Sequence, residues 1–520
     1  MTVESGVQQA RETAEGYAAL KIEGHVDACD AVAIEGWILD HDDPTRRLQL
    51  TISCAATVLG TCLANRFRHD LAEGGLGGGH CAFRFELPSR LTATELRSVQ
   101  VHIDGTGYLF PFRVGHPVWG VPPAHIYQQL ADERAPIGQK LRKFKACILH
   151  IGTEKTGSSS LQAFLAMNRD VLIDSGYFVP RSLVSSADEA LLNHTHISML
   201  SIFDSNFEDE LRREAKVLDH GALDKARRDI FNAFGDEIMA ESRPCDTLIL
   251  SNEHCHSRLS SVEEVQNLKD FLDHFCESYK IIVYLRPQHE LAMSQYAMFV
   301  ANGTINIDML PPLPPPADYG KTVYTNFAYF DYKMLLDRWA RVFGEGALTP
   351  RIYARDALLR GDVVDDFAGN FLAIDKVFAV PERLNSSLSA KAQQFLIEFY
   401  RVLSDAERFG ATMLRERMRN ALMVRFPGPG QMPSRSEAMT FYNRFAVNNE
   451  KVRLRWFPDR TRLFDINFQG FPEAAEVVML SPEETIEICV EAMLTDQELR
   501  FSLTPEGLSR LTQGLPPNDG

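Results

Sequence analysis

Three things are scarce in this chain of 520 residues: long apolar runs, paired cysteines and positive charge. Nowhere do about 18 uncharged apolar residues follow one another, so no membrane span is expected. Residues 1–19 are polar and charged, with no apolar signal core, and read as a disordered or short helical lead. The nine cysteines are scattered, odd in number and form no CxxC pair. That pattern fits free thiols in a reducing compartment better than a disulfide framework, so a cytoplasmic location is expected. Lys and Arg number 54 against 70 Asp and Glu, a formal charge of −16. This balance argues against general nucleic-acid binding, or an anionic membrane surface, as the main partner. An anionic ligand would need a local basic site.

What is present divides the chain into regions. Residues 20–115 show short alternating runs at Ala31–Leu39, Leu48–Ser53, Ala82–Leu87, Ser98–Ile103 and Tyr108–Phe112. Turn signals separate them, including the glycine run 74–79 and Asp104-Gly105, and a small all-β sandwich is predicted. Its Trp37 and Phe85 are candidate sugar platforms, with a core role favoured. Residues 116–142 read as a linker with a helix near Ala124–Ala135. Residues 143–470 alternate apolar strands with helical stretches, which predicts a parallel sheet flanked by helices. The charged stretch 205–240 reads as solvated helix faces. Leu310–Pro316, with five prolines in seven residues, reads as a surface loop flanking the acceptor cleft. Residues 471–520 supply an amphipathic helix near Pro482–Met493 and a tail.

The richest stretch runs from Ile148 to Gln162. An apolar strand gives way to Gly152-Thr153-Glu154-Lys155-Thr156-Gly157-Ser158-Ser159-Ser160, and a helix follows. Free N–H groups at such a helix start face an anion, and the helix dipole favours its charge. Lys155 adds a cation, while Thr156, Gly157, Ser158, Ser159 and Ser160 add amides and hydroxyls. Ser158 stands where GxxxxGK[ST] requires lysine, so this is not the usual nucleoside-triphosphate loop.

The order Lys-Thr-Gly-Ser-Ser resembles the 5′-phosphosulfate loop of sulfotransferases that use 3′-phosphoadenosine 5′-phosphosulfate (PAPS). A second segment, Ile281 to Tyr296, resembles the 3′-phosphate motif of that family: strand-ending Arg286 is followed eight positions later by Ser294. Arg offers a planar donor fork to a phosphate and Ser a neutral donor from the facing helix. A third strand ends in Ser251-Asn252-Glu253-His254, where the family carries its general base. Glu253 is the favoured base, with His254 as the alternative or its orienting partner. Lys155, Glu253 and Arg286 each follow a strand, so three strand ends are expected to converge on one crevice.

The resemblance implies a P-loop-like sulfotransferase fold with no metal, PAPS as co-substrate, and a hydroxyl-bearing acceptor. A saccharide acceptor follows from family analogy and from a loose likeness of the first domain to modules on carbohydrate-modifying transferases. His254-Cys255-His256 is not expected to bind zinc, because neighbours in extended structure face opposite ways. His194 and His196 read as exposed loop residues. Asn385-Ser386-Ser387-Leu388-Ser389 resembles a late family element but also reads as a helix cap. No RxGxxGDW-like late loop of the cytosolic animal enzymes is found. A P-loop kinase using ATP, and a non-catalytic binding protein, are the rival readings; oligomeric state is left open.

Overall fold

The computed structural model describes residues 22–29, 33–54, 57–88, 99–103, 123–134, 143–185, 191–203, 206–207, 209–305, 307–313, 327–374, 376–380, 387–404, 411–475 and 478–496. The lead, the Tyr108–Phe112 run and the end of the tail lie outside them.

The first region forms two three-stranded antiparallel sheets. One orders β1 (Ile22–Cys29), β2 (Ala33–Asp40) and β5 (Ala82–Glu86); the other orders β4 (Thr57–Leu63), β3 (Gln49–Cys54) and β6 (Val99–Ile103). Val26, Ile34, Ile38 and Phe83 from the first sheet share one apolar cluster with Leu50, Ile52, Val99 and Val101 from the second. Strands β1 and β4 are additions to the sequence reading. Their alternation is diluted by Gly24 and Gly60, so pairing with neighbours rather than pattern reveals them. Trp37 is buried beside Leu39 and Leu71, in accord with the favoured core role.

The second region is built on a five-stranded parallel sheet ordered β11 (Leu348–Ile352), β10 (Tyr279–Leu285), β7 (Ala146–His150), β9 (Thr247–Ser251) and β8 (Tyr177–Phe178). Central strands in such a sheet are apolar on both faces, and here successive residues enter different cores. Cys147, Leu149, Leu248, Leu250, Ile281, Val283 and Leu285 face one side. Ile148, Ile249, Ile282 and Tyr284 face the other. Full burial of each Leu, Ile or Val contributes about 1.5–3 kcal/mol.

The first face is covered by α1 (Pro123–Arg134), α4 (His220–Ala240), α6 (Val262–Leu272) and α8 (Tyr332–Phe343), through Tyr127, Phe231, Phe271 and Trp339. The helix read as part of a linker thus lends Tyr127 and Leu130 to the α/β core. The second face is covered by α2 (Ser158–Met167) and α9 (Val363–Phe371), through Leu161, Phe164 and Phe367. Asp366 ties α9 down: it accepts from Tyr284 Oη at 3.0 Å and from Arg351 Nε at 2.9 Å.

Two helices of the charged stretch do not present only solvated faces. Arg212 and Arg227 are fully buried, and Arg212 donates to the carbonyls of Met199, Ile202 and Phe203 at the end of α3 (Thr195–Ser201). Charge content alone cannot reveal a guanidinium used as an internal cap. Further helices follow: α10 (Ala390–Ser404), α11 (Ala411–Arg425), α12 (Arg435–Asn443), α13 (Ala446–Trp456) and α14 (Pro482–Thr495). Among the described residues no helix is long and apolar enough to cross a membrane.

Candidate functional site

Sheet pairing continues past the end of β7 and fixes the start of the loop. Ile151 and Thr153 donate to the carbonyls of Ile282 and Tyr284 at 2.9 and 3.1 Å. Gly152 has φ +97°, and a Cβ there would stand 3.3 Å from Glu253 Cα, so this glycine lets the β7 loop touch the end of β9. Lys155 adopts φ 60°, a left-handed backbone uncommon outside glycine. Gly157, at φ +81°, precedes α2, and a Cβ there would lie 2.8 Å from Val363 Cγ1 on α9. Leu161 is the first residue of α2 whose N–H reaches a backbone carbonyl, Gly157 O at 3.1 Å. The amides before it remain available to an anion.

Not every expected donor is available. The Thr156 hydroxyl is buried and donates to the Thr153 carbonyl at 2.6 Å, so only its amide is left for a ligand. Ser158 is buried, while Ser159 and Ser160 are partly exposed on the first turn.

The Lys155 ammonium has no hydrogen-bond or ion-pair partner among the described residues. Burial pushes its ammonium below its ordinary pKa, opposed by Glu154 and Glu253 and assisted by Arg286. Arg286, directly after β10, donates from Nη1 to the Lys155 carbonyl at 3.1 Å. Its guanidinium also lies 5.9 Å from the Tyr353 ring centroid, and its own carbonyl accepts from the Tyr332 hydroxyl. Glu290, four residues on, accepts from Arg286 Nε at 3.2 Å. This partner was not foreseen; any phosphate there must share the guanidinium with it. Ser294 stands one turn beyond Glu290 on α7 (Gln288–Ala301), partly buried.

Glu253 lies two residues past the end of β9 and immediately precedes α5 (His254–Arg258). Its carboxylate accepts from Gln162 Nε2 at 2.5 Å and from Asn193 Nδ2 at 3.3 Å. Asn193 is itself held by Asn252 Nδ2 at 2.7 Å. His254 Nδ1 lies 3.6 Å from Glu154 Oε1, an ion-pair distance too long for a hydrogen bond. Glu154 Oε2 accepts from Gln295 Nε2 at 2.7 Å and Tyr329 Oη at 2.8 Å.

Gln162, Asn193, Glu154, Gln295 and Tyr329 are site residues that the sequence reading missed. One signal existed: a carboxylate, Glu154, inside a loop built to attract anions. The others come from distant segments, and only folding brings them in.

Two expectations are corrected. His194 is not an exposed loop residue; it is fully buried, accepts at Nδ1 from the Ser251 N–H at 3.0 Å and donates from Nε2 to the Pro180 carbonyl at 3.1 Å. His196 is partly buried against the Ser182 carbonyl. His194 lies where the chain returns to the end of β9 and His196 against the Ser182–Leu183 backbone, which a two-residue spacing does not disclose. His254, Cys255 and His256 are helical, not extended. His256 Nε2 donates to the Tyr329 carbonyl at 2.9 Å, and burial holds its pKa down at about 4. Among the described residues no three metal-binding side chains cluster.

In the late element, Asn385 and Ser386 lie outside the described residues. Ser389 directly precedes α10, with its Oγ 3.4 Å from the Ala392 N–H, the geometry of a cap. The described part of the proline segment lines, through Leu310, Pro311 and Pro312, a cleft shared with Met432, Phe441 and Arg444, which is not the acceptor cleft expected beside the strand ends. That cleft is lined by none of Lys155, Glu253 or Arg286.

No family model matches the sequence. No curated protein is similar to it at a significant level. A solved structure titled "Crystal Structure of Sulfotransferase from Alicyclobacillus acidocaldarius" is similar, at 16% identity, over 46% of this chain and 85% of its own, with a TM-score of 0.29. Likeness at that level carries no argument about activity.

Proposed function

We propose that this protein is a sulfotransferase that moves a sulfuryl group from PAPS to an acceptor hydroxyl, with a saccharide as the acceptor class. One observation carries the reading: Lys155 stands without a counter-anion beside the open amides of α2, and Arg286 is joined to the same loop. Partly desolvated cations call for an anion, and two of them at neighbouring strand ends suit a ligand with two separated phosphates.

On this reading Lys155, the Thr156 and Gly157 amides and Ser158 to Ser160 hold the 5′-phosphosulfate. Arg286 and Ser294 take the 3′-phosphate, and no metal is required. Glu253 accepts the proton of the attacking hydroxyl. The acceptor oxygen bonds to sulfur as the bond from sulfur to the 5′-phosphate oxygen breaks, releasing 3′-phosphoadenosine 5′-phosphate. Lys155 neutralises the charge that gathers on the departing phosphate. Gln162 and Asn193 hold the base in place. The two N-terminal sheets, read as one sandwich, would serve the acceptor side, in a cytoplasmic enzyme.

The test compares 3′-phosphoadenosine 5′-phosphate, ADP and ATP by thermal shift, each with and without Mg²⁺. A ligand that binds only the folded chain raises its Tm. Stabilisation by the bisphosphate without Mg²⁺, exceeding that of ADP and ATP, is expected. An ATP response dependent on Mg²⁺ would replace the reading with the kinase one, and no response to any nucleotide with the binding protein.

A further inference from the structure

The carboxylate inside the anion loop demands an explanation, and this inference rests on the sulfuryl-transfer reading while deepening it. Glu154 Oε2 is fixed by Gln295 and Tyr329, whereas Glu154 Oε1 is buried with no hydrogen-bond partner. His254 Nδ1 is likewise buried and unpartnered, and the two atoms face one another at 3.6 Å. Each would be costly to bury alone; as carboxylate and imidazolium they compensate. The other ring nitrogen, Nε2, has no hydrogen-bond partner among the described residues.

We propose that Glu154 is a positioning residue that holds His254 as an imidazolium, whose Nε2–H donates to a sulfuryl oxygen while Glu253 alone removes the acceptor proton. His254 neither gains nor loses a proton in the step. The charged groups around the ring agree. Burial opposes the charge, Glu154 and Glu253 favour it, and Arg258, one turn on in α5, resists; the carboxylates prevail and the pKa rises. His256 reaches Glu154 from the other side: its Nδ1 accepts from the Glu154 N–H at 3.4 Å and it stays neutral. A carboxylate in the loop thus acts through the histidine as a cation.

The experiment follows the His254 ring through its pH titration by NMR in the full chain, with the resonance assigned by its loss in His254→Gln. In the unaltered protein the ring should titrate above the ordinary histidine value, and Glu154→Gln should lower it by removing the facing carboxylate. The basic limb of the kcat profile should move to lower pH in the same variant, with KM for PAPS unchanged. His254→Lys, which keeps the charge but cannot shuttle protons near neutrality, should retain more kcat than His254→Gln. Should Glu154→Gln not fold, Glu154→Asp serves, with a smaller shift in the same direction.

A ring titrating at or below its ordinary value, or one indifferent to Glu154, would overturn the proposal. So would a His254→Lys variant no better than His254→Gln. The titration needs no co-substrate: a raised value in a chain that fails to bind 3′-phosphoadenosine 5′-phosphate would sink the function and leave the pair standing.

Discussion

Arg286 donates from Nη1 to the backbone carbonyl of Lys155 at 3.1 Å, so the loop after β7 and the end of β10 form one piece of structure. Two cations that repel each other are held side by side by a backbone oxygen. An anion lying between them would relieve both.

Lys155 therefore lowers the stability of the ligand-free chain while enabling binding. Lys155→Met should raise the Tm of the free protein and abolish the increase that 3′-phosphoadenosine 5′-phosphate produces. A variant less stable than the parent, or one still stabilised by the nucleotide, would remove Lys155 from the site. A desolvated charge without a partner is a cost that the ligand offsets.

Glu253→Gln should lower kcat by about 10²–10⁴ while sparing nucleotide affinity. Full turnover in that variant would take the base assignment away from Glu253.

Gln162 and Asn193 touch Glu253 and not the loop cations. Gln162→Ala should cost kcat, by roughly tenfold for one lost hydrogen bond to a charged group, and leave KM for PAPS nearly constant. A KM effect with unchanged kcat would mean that Gln162 serves binding instead.

Gly157→Ala meets two obstacles, a left-handed backbone and Val363 Cγ1 at 2.8 Å. Strain of this kind costs about 1–3 kcal/mol. A lowered Tm and weakened bisphosphate binding are expected together, and Val363→Ala in the same chain should recover part of both. Unchanged melting would show that the contact between α9 and the loop is dispensable.

Acid sensitivity follows from histidines buried in neutral form. Burial holds His150 at about 3 and His194, His256 and His289 at about 4, well below the ordinary value near 6.5. Between those limits the unfolded chain binds more protons, so stability rises with pH and is lost as pH falls below about 6.5. Glu264 works the other way: burial raises it to about 7, so its contribution fades as pH rises toward that value. His254, whose pKa is raised, sides with Glu264, while His196 and His274 are lowered by burial like the other four; six histidines against these two groups give a Tm that should drop from pH 7 to pH 5. His289 is the clearest test, since neither ring nitrogen has a partner and the rings of Tyr442, Phe468 and Phe471 surround it. His289→Phe should raise Tm at pH 5 by more than at pH 8; an equal change at both would mean that burial does not shift the ring from its unfolded titration.

The sequence alone determined the parallel sheet, because strands buried on both faces must be written as continuous apolar runs such as Ile281 to Leu285. It also determined that Lys155, Glu253 and Arg286 follow strand ends, since local order along the chain fixes which residues come next. It could not determine partners. Gln162 and Asn193 reach Glu253 across 91 and 60 positions, and Gln295 and Tyr329 reach Glu154 across 141 and 175. Polar residues so far apart carry no periodic mark, and hydrogen bonds between them exist only once the two cores have packed. Tertiary structure likewise decided that Glu290 shares Arg286, that the Thr156 hydroxyl is spent within its own loop, and that His194 is buried. Hydrophobic pattern specifies where chain segments go; the short reach of hydrogen bonds and charge leaves the roles of individual polar groups to whatever that packing sets beside them.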